Sequence, residues 1–386
     1  MLVQSRSLLN SIFTSQNNKP IAHKRHALSV FASASTNPKI GVIGGGVIGL
    51  TCALRLLQRS PHAKVTLICS KLATETTSAG AAGLWKPYAI SGTSPEKVNK
   101  WGTDTFQHYL EIFNSQDAAT AGIFLCPAYE LYHEPVPDPA WSTTVPSYRH
   151  LSSTDLAMYD PQKIYNYGFA YDTIIAEGRL YMQWLVAKIK SYTSRVTILT
   201  GCHVESLTDL SSYSDDFVAV INCAGLGARE LVKDESLYPI RGHVLRVKAP
   251  WVRFHVEAEQ WDSPDMPAYI IPNSDTVVLG GTKGHKGDED LNPRKEDRDA
   301  ILARCTAAVP SLAGAEVIDE WVGLRPGRPS VRLELERFDS NNSRERSSGD
   351  MPPFVVHNYG HGGSGLTLAW GCAGDSVELL AKQNII

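Results

Sequence analysis

Two apolar periods alternate along the chain. The run "KIGVI", Lys39 to Ile43, is short and rich in β-branched residues, and "VIGLTCALRLLQ", starting at Val47, carries apolar residues at helical intervals. "KVTLIC", Lys64 to Cys69, supplies a second strand, so residues 39–69 predict one β-α-β unit. Farther on, "RLYMQWLVAKIK" predicts an amphipathic helix leading to the strand "RVTIL", and "FVAVINCAG" a strand ending in a glycine turn. "YIIP" and "TVVLGG" read as the two arms of a hairpin. The polar run "DSNNSRERSSGD", Asp339 to Asp350, has too few apolar residues to pack and predicts an exposed loop. No internal repeat is present.

Between the first strand and its helix, Gly44, Gly46 and Gly49 keep the spacing G-x-G-x-x-G. The first permits a tight turn, the second lets the backbone approach a pyrophosphate, and the third lets the helix pack on the strands. Phosphates then meet the positive end of the helix. With strands on both sides, this pattern points to a dinucleotide, although glycines alone do not separate NAD from FAD. The carboxylate that would grip a ribose hydroxyl at the end of the second strand is missing: Ser70 and Lys71 stand there. Ribose contacts are therefore weaker or supplied from elsewhere.

Composition narrows the class. A chain of 386 residues, 43% hydrophobic, buries a large core and suits two lobes. Its 37 basic and 40 acidic residues give a net charge of −3 with neither sign massed, so no nucleic-acid partner is implied. The longest uncharged apolar run, Ile40 to Leu54, is broken by five glycines and falls short of the about 18 residues that read as a membrane span. Seven scattered cysteines without a C-x-x-C pair read as buried thiols. Residues 1–38 contain no Asp or Glu, yet include Arg6, Lys19, Lys24 and Arg25 among many hydroxyl residues. They read as a transit peptide for the mitochondrion or plastid, or as a disordered tail without an address. The ending "KQNII" is not a peroxisomal signal of the serine-lysine-leucine type, and peroxisome and cytoplasm stay open as destinations.

Other candidate motifs have plainer readings. His357 and His361 stand four apart, but glycines at 360, 362 and 363 oppose a regular helix, and no acid or cysteine completes a metal site. "HGGSG" resembles a hydrolase turn, yet Leu366 occupies the place two residues after Ser364 where such a turn has glycine. Trp85, Trp251, Trp321 and Trp370 read as core and lobe-interface aromatics.

The segment that separates the cofactors is "ETTSAGAAGLWKPY", Glu75 to Tyr88, whose small hydroxylated and glycine residues suit the face of an isoalloxazine. Here the chain resembles the D-amino-acid oxidase and D-aspartate oxidase family of flavoenzymes, the former more closely. The resemblance recurs in "VINCAGLGAREL", "PIRGHVLRVKAPW", "YIIPNSDTVVLGGT", "GLRPGRPSVRLE" and "VVHNYGHGGSGLTLAWG", in matching order, over residues 39–381. It implies FAD as cofactor. It also implies an α/β fold in which a discontinuous FAD-binding Rossmann-like domain, residues 39–95, 165–235 and 320–386, is interleaved with a mixed-sheet substrate domain, residues 96–164 and 236–319.

Residue by residue, the resemblance places the substrate carboxylate on Arg325 and Tyr269 and the substrate amino group on the carbonyl of Gly363. FAD would lie along Gly44, Gly45, Gly46, Val47, Ile48 and Gly49, then Ser70 and Lys71, then Thr76, Thr77, Ser78, Gly83 and Leu84. Val204, Ala224 and the segment Gly363, Ser364, Gly365, Leu366 and Thr367 complete the set. No acid–base catalyst is implied. The reaction that the resemblance implies is hydride transfer from a D-amino acid to flavin N5, hydrolysis of the imino acid to a 2-oxo acid and ammonia, and reduction of O2 to hydrogen peroxide. In place of the tyrosine that many members carry four residues before "YIIP" stands Asp265, which would repel a second substrate carboxylate. Lys283, in "GGTK", matches an arginine that D-aspartate oxidases use to attract one. Neutral D-amino acids are the expected substrates, with a D-aspartate oxidase as the alternative. A nicotinamide-dependent dehydrogenase, a non-catalytic FAD-binding relative and a homodimer are left open.

Overall fold

The computed structural model describes residues 37–88, 90–160, 162–260, 267–282, 284–285, 287–338 and 352–386. The leader 1–36, the expected loop 339–350, Asp265 and Lys283 lie outside the described residues. In chain order the strands are β1 (Lys39–Gly45), β2 (Lys64–Leu72), β3 (Ile123–Tyr132), β4 (Arg149–His150), β5 (Tyr167–Ala176), β6 (Val196–Leu199) and β7 (Phe217–Asn222). There follow β8 (Tyr238–Lys248), β9 (His255–Ala258), β10 (Ala268–Pro272), β11 (Val277–Gly280), β12 (Glu316–Gly327), β13 (Arg332–Arg337) and β14 (Phe354–Tyr359).

Six of them form one sheet in the order β13-β14-β7-β1-β2-β6, parallel except where β13 meets β14. Its central strands are covered on both faces, which is why they read as continuous apolar runs: Ile40, Val42, Leu67, Ala219 and Ile221 have no exposed surface. One covering layer comprises α1 (Val47–Arg59), α2 (Pro95–Phe113), α3 (Gly178–Lys190) and, skipping α4 (Lys295–Ala308), α5 (Gly365–Ala381). Leu50, Leu54 and Leu57 of α1 share a core with Phe106 and Tyr109 of α2, Leu185 and Ile189 of α3, and Ala369 and Val377 of α5. The start of α2 is set locally: Ser94 Oγ accepts from Lys97 N–H at 3.3 Å, and Pro95 opens the helix.

The other eight strands form a mixed sheet, β12-β8-β11-β10-β9-β3-β5-β4. The hairpin read from "YIIP" and "TVVLGG" is there, with Tyr269 opposite Gly280 and Ile271 opposite Val278. Helix α4 covers one face over β8, β10 and β11, burying Leu245, Val256, Ile270 and Leu279 with its own Ile301 and Cys305.

The sheets divide the chain differently from the spans expected for the two domains. β5 pairs along its whole length with β3, and β12 pairs residue by residue with β8 from Trp321 to Gly327, so both belong to the eight-stranded sheet. Conversely α2 packs on α5 beside the six-stranded sheet, where Gly371 lets the two approach so closely that a Cβ there would lie 2.4 Å from Trp101 Cα. These pairings join segments far apart in sequence. Trp85 is buried as expected, but Trp251 is 53% exposed and its indole N–H donates to Ser311 Oγ at 3.2 Å. All seven cysteines are free thiols. Among the described residues no helix is long and apolar enough to cross a membrane.

Candidate active site

The parallel strands end at a common edge, and there the chain opens a cleft of about 530 Å³, in the position where α/β sheets bind ligands. Gly44 turns the backbone with φ of +116°, and a Cβ on it would stand 2.3 Å from the Cys223 carbonyl at the end of β7. Gly49 lies so close beneath the turn that its Cβ would be 1.9 Å from the Gly44 oxygen. The turn therefore delivers the N-terminus of α1 directly into the cleft. Gly46, the cap residue of α1, supplies no side chain, and Val47 N–H is met by Ser78 Oγ at 3.1 Å.

A strap then ties this turn to the second sheet. Gly83 O accepts from Ala176 N–H at 2.8 Å, and Trp85 N–H donates to Ile174 O at 2.9 Å, so the strap runs along β5. Beyond it, Thr367 Oγ1 donates to Lys86 O at 3.0 Å, and Ser364 Oγ both accepts from Tyr88 N–H and donates to Tyr88 O, each at 2.6 Å. These bonds lock the strap to the start of α5 and leave Ser364 no role as a nucleophile. Of the candidate residues within the described structure, all line the cleft except Gly49 and Ser364, which support it from behind.

At the far end of the cleft stand Arg325 and Tyr269. The Arg325 guanidinium lies flat over Gly242, where a Cβ would be 2.3 Å from Nη1, and its closest acceptors are the carbonyls of Thr282 at 3.4 Å and Arg241 at 3.5 Å. Among the described residues no carboxylate pairs with it. The Tyr269 ring crosses Gly280 and Gly281, and a Cβ on either would overlap it. Its hydroxyl makes no hydrogen bond among the described residues. Burial pushes this phenol up to about 12 against the opposing charge of Arg325, so it remains a donor.

Next to them lies a cluster that the sequence reading did not single out. Lys86 Nζ sits 2.9 Å from Glu130 Oε1 and 2.9 Å from Glu257 Oε1. Glu130 also accepts from the hydroxyls of Tyr132 and Tyr171, both at 2.6 Å. Despite the desolvation of a buried ammonium, the two carboxylates hold Lys86 above its ordinary value. Desolvation works against the charge on Glu130 as well, but Lys86 and the two phenols bring it below the usual carboxylate range. Glu257 is displaced the other way, raised by burial against the pull of Lys86, with the Glu130 charge adding to the rise. Lys86 and Glu257 both line the cleft, as do Glu75, Tyr88, Thr282 and Trp321. Glu75 lies at the cofactor end, where its Oε2 accepts from Leu72 N–H at 3.2 Å.

Comparison with known proteins places the chain. A family model described as FAD dependent oxidoreductase matches residues 39–379. The chain belongs to this family. Human D-aspartate oxidase is 36% identical over 346 residues, spanning 89% of this chain and 95% of the relative. A D-amino acid oxidase of Dugesia ryukyuensis is 34% identical over 345 residues, spanning 89% and 97%. Among solved structures, glycine oxidase from Bacillus cereus superposes with a TM-score of 0.67 at 17% identity, covering 90% of this chain and 96% of that one, a likeness of fold. The protein is thus an oxidoreductase, and FAD is its cofactor. The site fits that group: the glycine turn and first turn of α1, from Gly44 to Ile48, face the cleft with no capping side chain at Gly46, and the same cleft continues past the strap to Arg325.

Proposed function

We propose that the protein catalyses the oxidative deamination of D-amino acids, taking neutral ones ahead of acidic ones. The observation that carries this reading is Arg325, a guanidinium with no carboxylate partner among the described residues, beside the unbonded hydroxyl of Tyr269 at the end of the FAD cleft. A planar fork of donors matches a carboxylate bidentately, and a neutral phenol adds a further donor. The names of the relatives support an amino acid of D configuration as the owner of that carboxylate.

FAD, which the glycine turn, the strap and the start of α5 would hold, would supply the two-electron oxidation of the substrate amine to an imine, with O2 as final acceptor, and water would then convert the imino acid to a 2-oxo acid and ammonia. The chain's part is positional. Arg325 and Tyr269 fix the carboxylate, the carbonyl of Gly363 takes the amino group, and two fixed substituents leave one enantiomer able to turn its α-hydrogen toward the cofactor. Residues 1–38, free of acids, support import into an organelle, which a reporter fusion of that segment tests. The activity is tested by peroxide release from D-alanine, D-methionine, D-aspartate and L-alanine with the FAD-loaded protein. D-alanine and D-methionine should lead, and L-alanine should give none. A lead for D-aspartate would put the protein with the acidic-substrate oxidases.

A further inference from the structure

Rows of side chains run across a sheet wherever neighbouring strands place residues in register. One such row crosses the floor of the cleft: Gly280 of β11 faces Tyr269 of β10, Tyr269 faces Glu257 of β9, and Glu257 faces Glu130 of β3. Strand spacing of about 4.8 Å sets each step. Arg325 reaches this floor from the opposite side, over Gly242 toward the Thr282 carbonyl. Read outward from Arg325, the order is guanidinium, phenol, Glu257, Glu130.

The three charges beyond Tyr269 do not balance. One ammonium, Lys86, serves two carboxylates. Glu130 is saturated, since it is 1% exposed and accepts from Lys86, Tyr132 and Tyr171. Glu257 gives one oxygen to Lys86, and its side chain keeps 19% exposure on the cleft. Its other oxygen is 3.9 Å from His255 Nε2, beyond hydrogen-bond reach. His255 is brought down to about 4 by burial and by Lys86, and its Nδ1 stands 3.0 Å from the Ile270 carbonyl, so this ring brings no positive charge. Of the other ionisable groups lining the cleft, Lys71, Glu75 and His203 stand on β2 or just beyond β2 and β6 in the other sheet, and His361, brought down to about 3 by burial, adds no positive charge.

We propose that Glu257 is a specificity-determining residue whose free oxygen accepts a hydrogen bond from a cationic substrate side chain, so that D-amino acids with a basic side chain are preferred over neutral ones of equal length. This rests on the D-amino-acid reading above. A carboxylate held between Arg325 and Tyr269 has Glu257 one strand farther along the floor, within reach of a flexible four-carbon chain. An added cation there neutralises the cluster, while an added carboxylate meets two acids that share one lysine.

The test compares D-lysine, D-norleucine and D-glutamate as substrates of the FAD-loaded protein, together with binding of 6-aminohexanoate and hexanoate followed by flavin absorbance. The two acids are the same skeletons without the α-amino group. D-lysine should exceed D-norleucine by about tenfold or more in kcat/KM, as one charge-assisted hydrogen bond allows, with D-glutamate last. 6-Aminohexanoate should bind more tightly than hexanoate by a similar factor. In Glu257→Gln, which leaves Lys86 its partner Glu130, both leads should vanish while D-norleucine turnover is retained. Leads that survive in the variant overturn the proposal, as does a wild-type preference for D-norleucine or D-glutamate. An equal loss for D-lysine and D-norleucine assigns Glu257 to the α-amino group and overturns it too. Equal binding of the two acids removes Glu257 alone, whereas no binding of either removes the carboxylate grip at Arg325 and this inference with it.

Discussion

The two ends of the cleft are built on opposite plans. The cofactor end, at the edge of the six-stranded sheet, is mostly backbone and small residues, and its central turn is built locally: Gly44 turned at φ of +116°, Gly49 against Gly44, and Ser78 on the first turn of α1. The substrate end, on the eight-stranded sheet, consists of long charged and aromatic side chains from β3, β9, β10, β12 and the strap, assembled by strand register. A dinucleotide has fixed geometry and can be held by peptide groups. An amino acid is small, and its recognition falls to the few charged groups that the sheet places around it. Substitutions at the first end should therefore act on the cofactor, and those at the second on turnover.

Gly49→Val presses hardest on this contrast. Its side chain has no space beside the Gly44 oxygen, and overpacking of this kind costs roughly 1–3 kcal/mol or more. Flavin released from the purified variant on denaturation should fall to background. Lys86→Met comes next: it strands Glu130 and Glu257 side by side and should destabilise the fold by roughly 3 kcal/mol, the low end for a broken buried pair because Glu257 can take up a proton. Two adjacent acids without their cation bind a proton more tightly folded than unfolded. The deficit in denaturant titrations should therefore be larger at about pH 8 than at about pH 5. A deficit that shrinks as the pH rises would show that the cluster is not held as a three-charge unit.

Arg325→Lys should keep its flavin and lose about 30-fold to 100-fold in kcat/KM for D-alanine, since an ammonium cannot reproduce the two-point grip. Tyr269→Phe, with one donor removed, should lose about tenfold, again with flavin content unchanged. With the phenol near 12, Tyr269 stays protonated through ordinary alkaline assays. An alkaline fall in substrate binding that disappears in Tyr269→Phe would contradict this.

The same contrast explains what could be read from the chain alone. The glycine turn was legible because its constraints fall on neighbouring residues and leave a fixed spacing. The hairpin carrying Tyr269 was legible from local alternation, and Arg325 from its motif. Glu257 was not: in "HVEA" it is one acid in a short strand, and nothing local says that residue 257 stands between 130 and 269. Lys86 lies inside a recognisable segment, but its partners arrive from β3 and β9. The pairing of β5 with β3 and of β12 with β8 was not legible for the same reason, since the partners are distant in sequence. Glu75, in the turn after β2, lines the cleft, but its carboxylate accepts from Leu72 N–H at 3.2 Å.

Anaerobic mixing of the FAD-loaded protein with D-alanine and, separately, L-alanine, followed at the visible absorbance of the flavin, addresses the assigned chemistry directly. Bleaching by D-alanine and none by L-alanine is the expected result. Bleaching by both, by L-alanine only or by neither would contradict oxidation of a D-amino acid held between Arg325, Tyr269 and the cofactor.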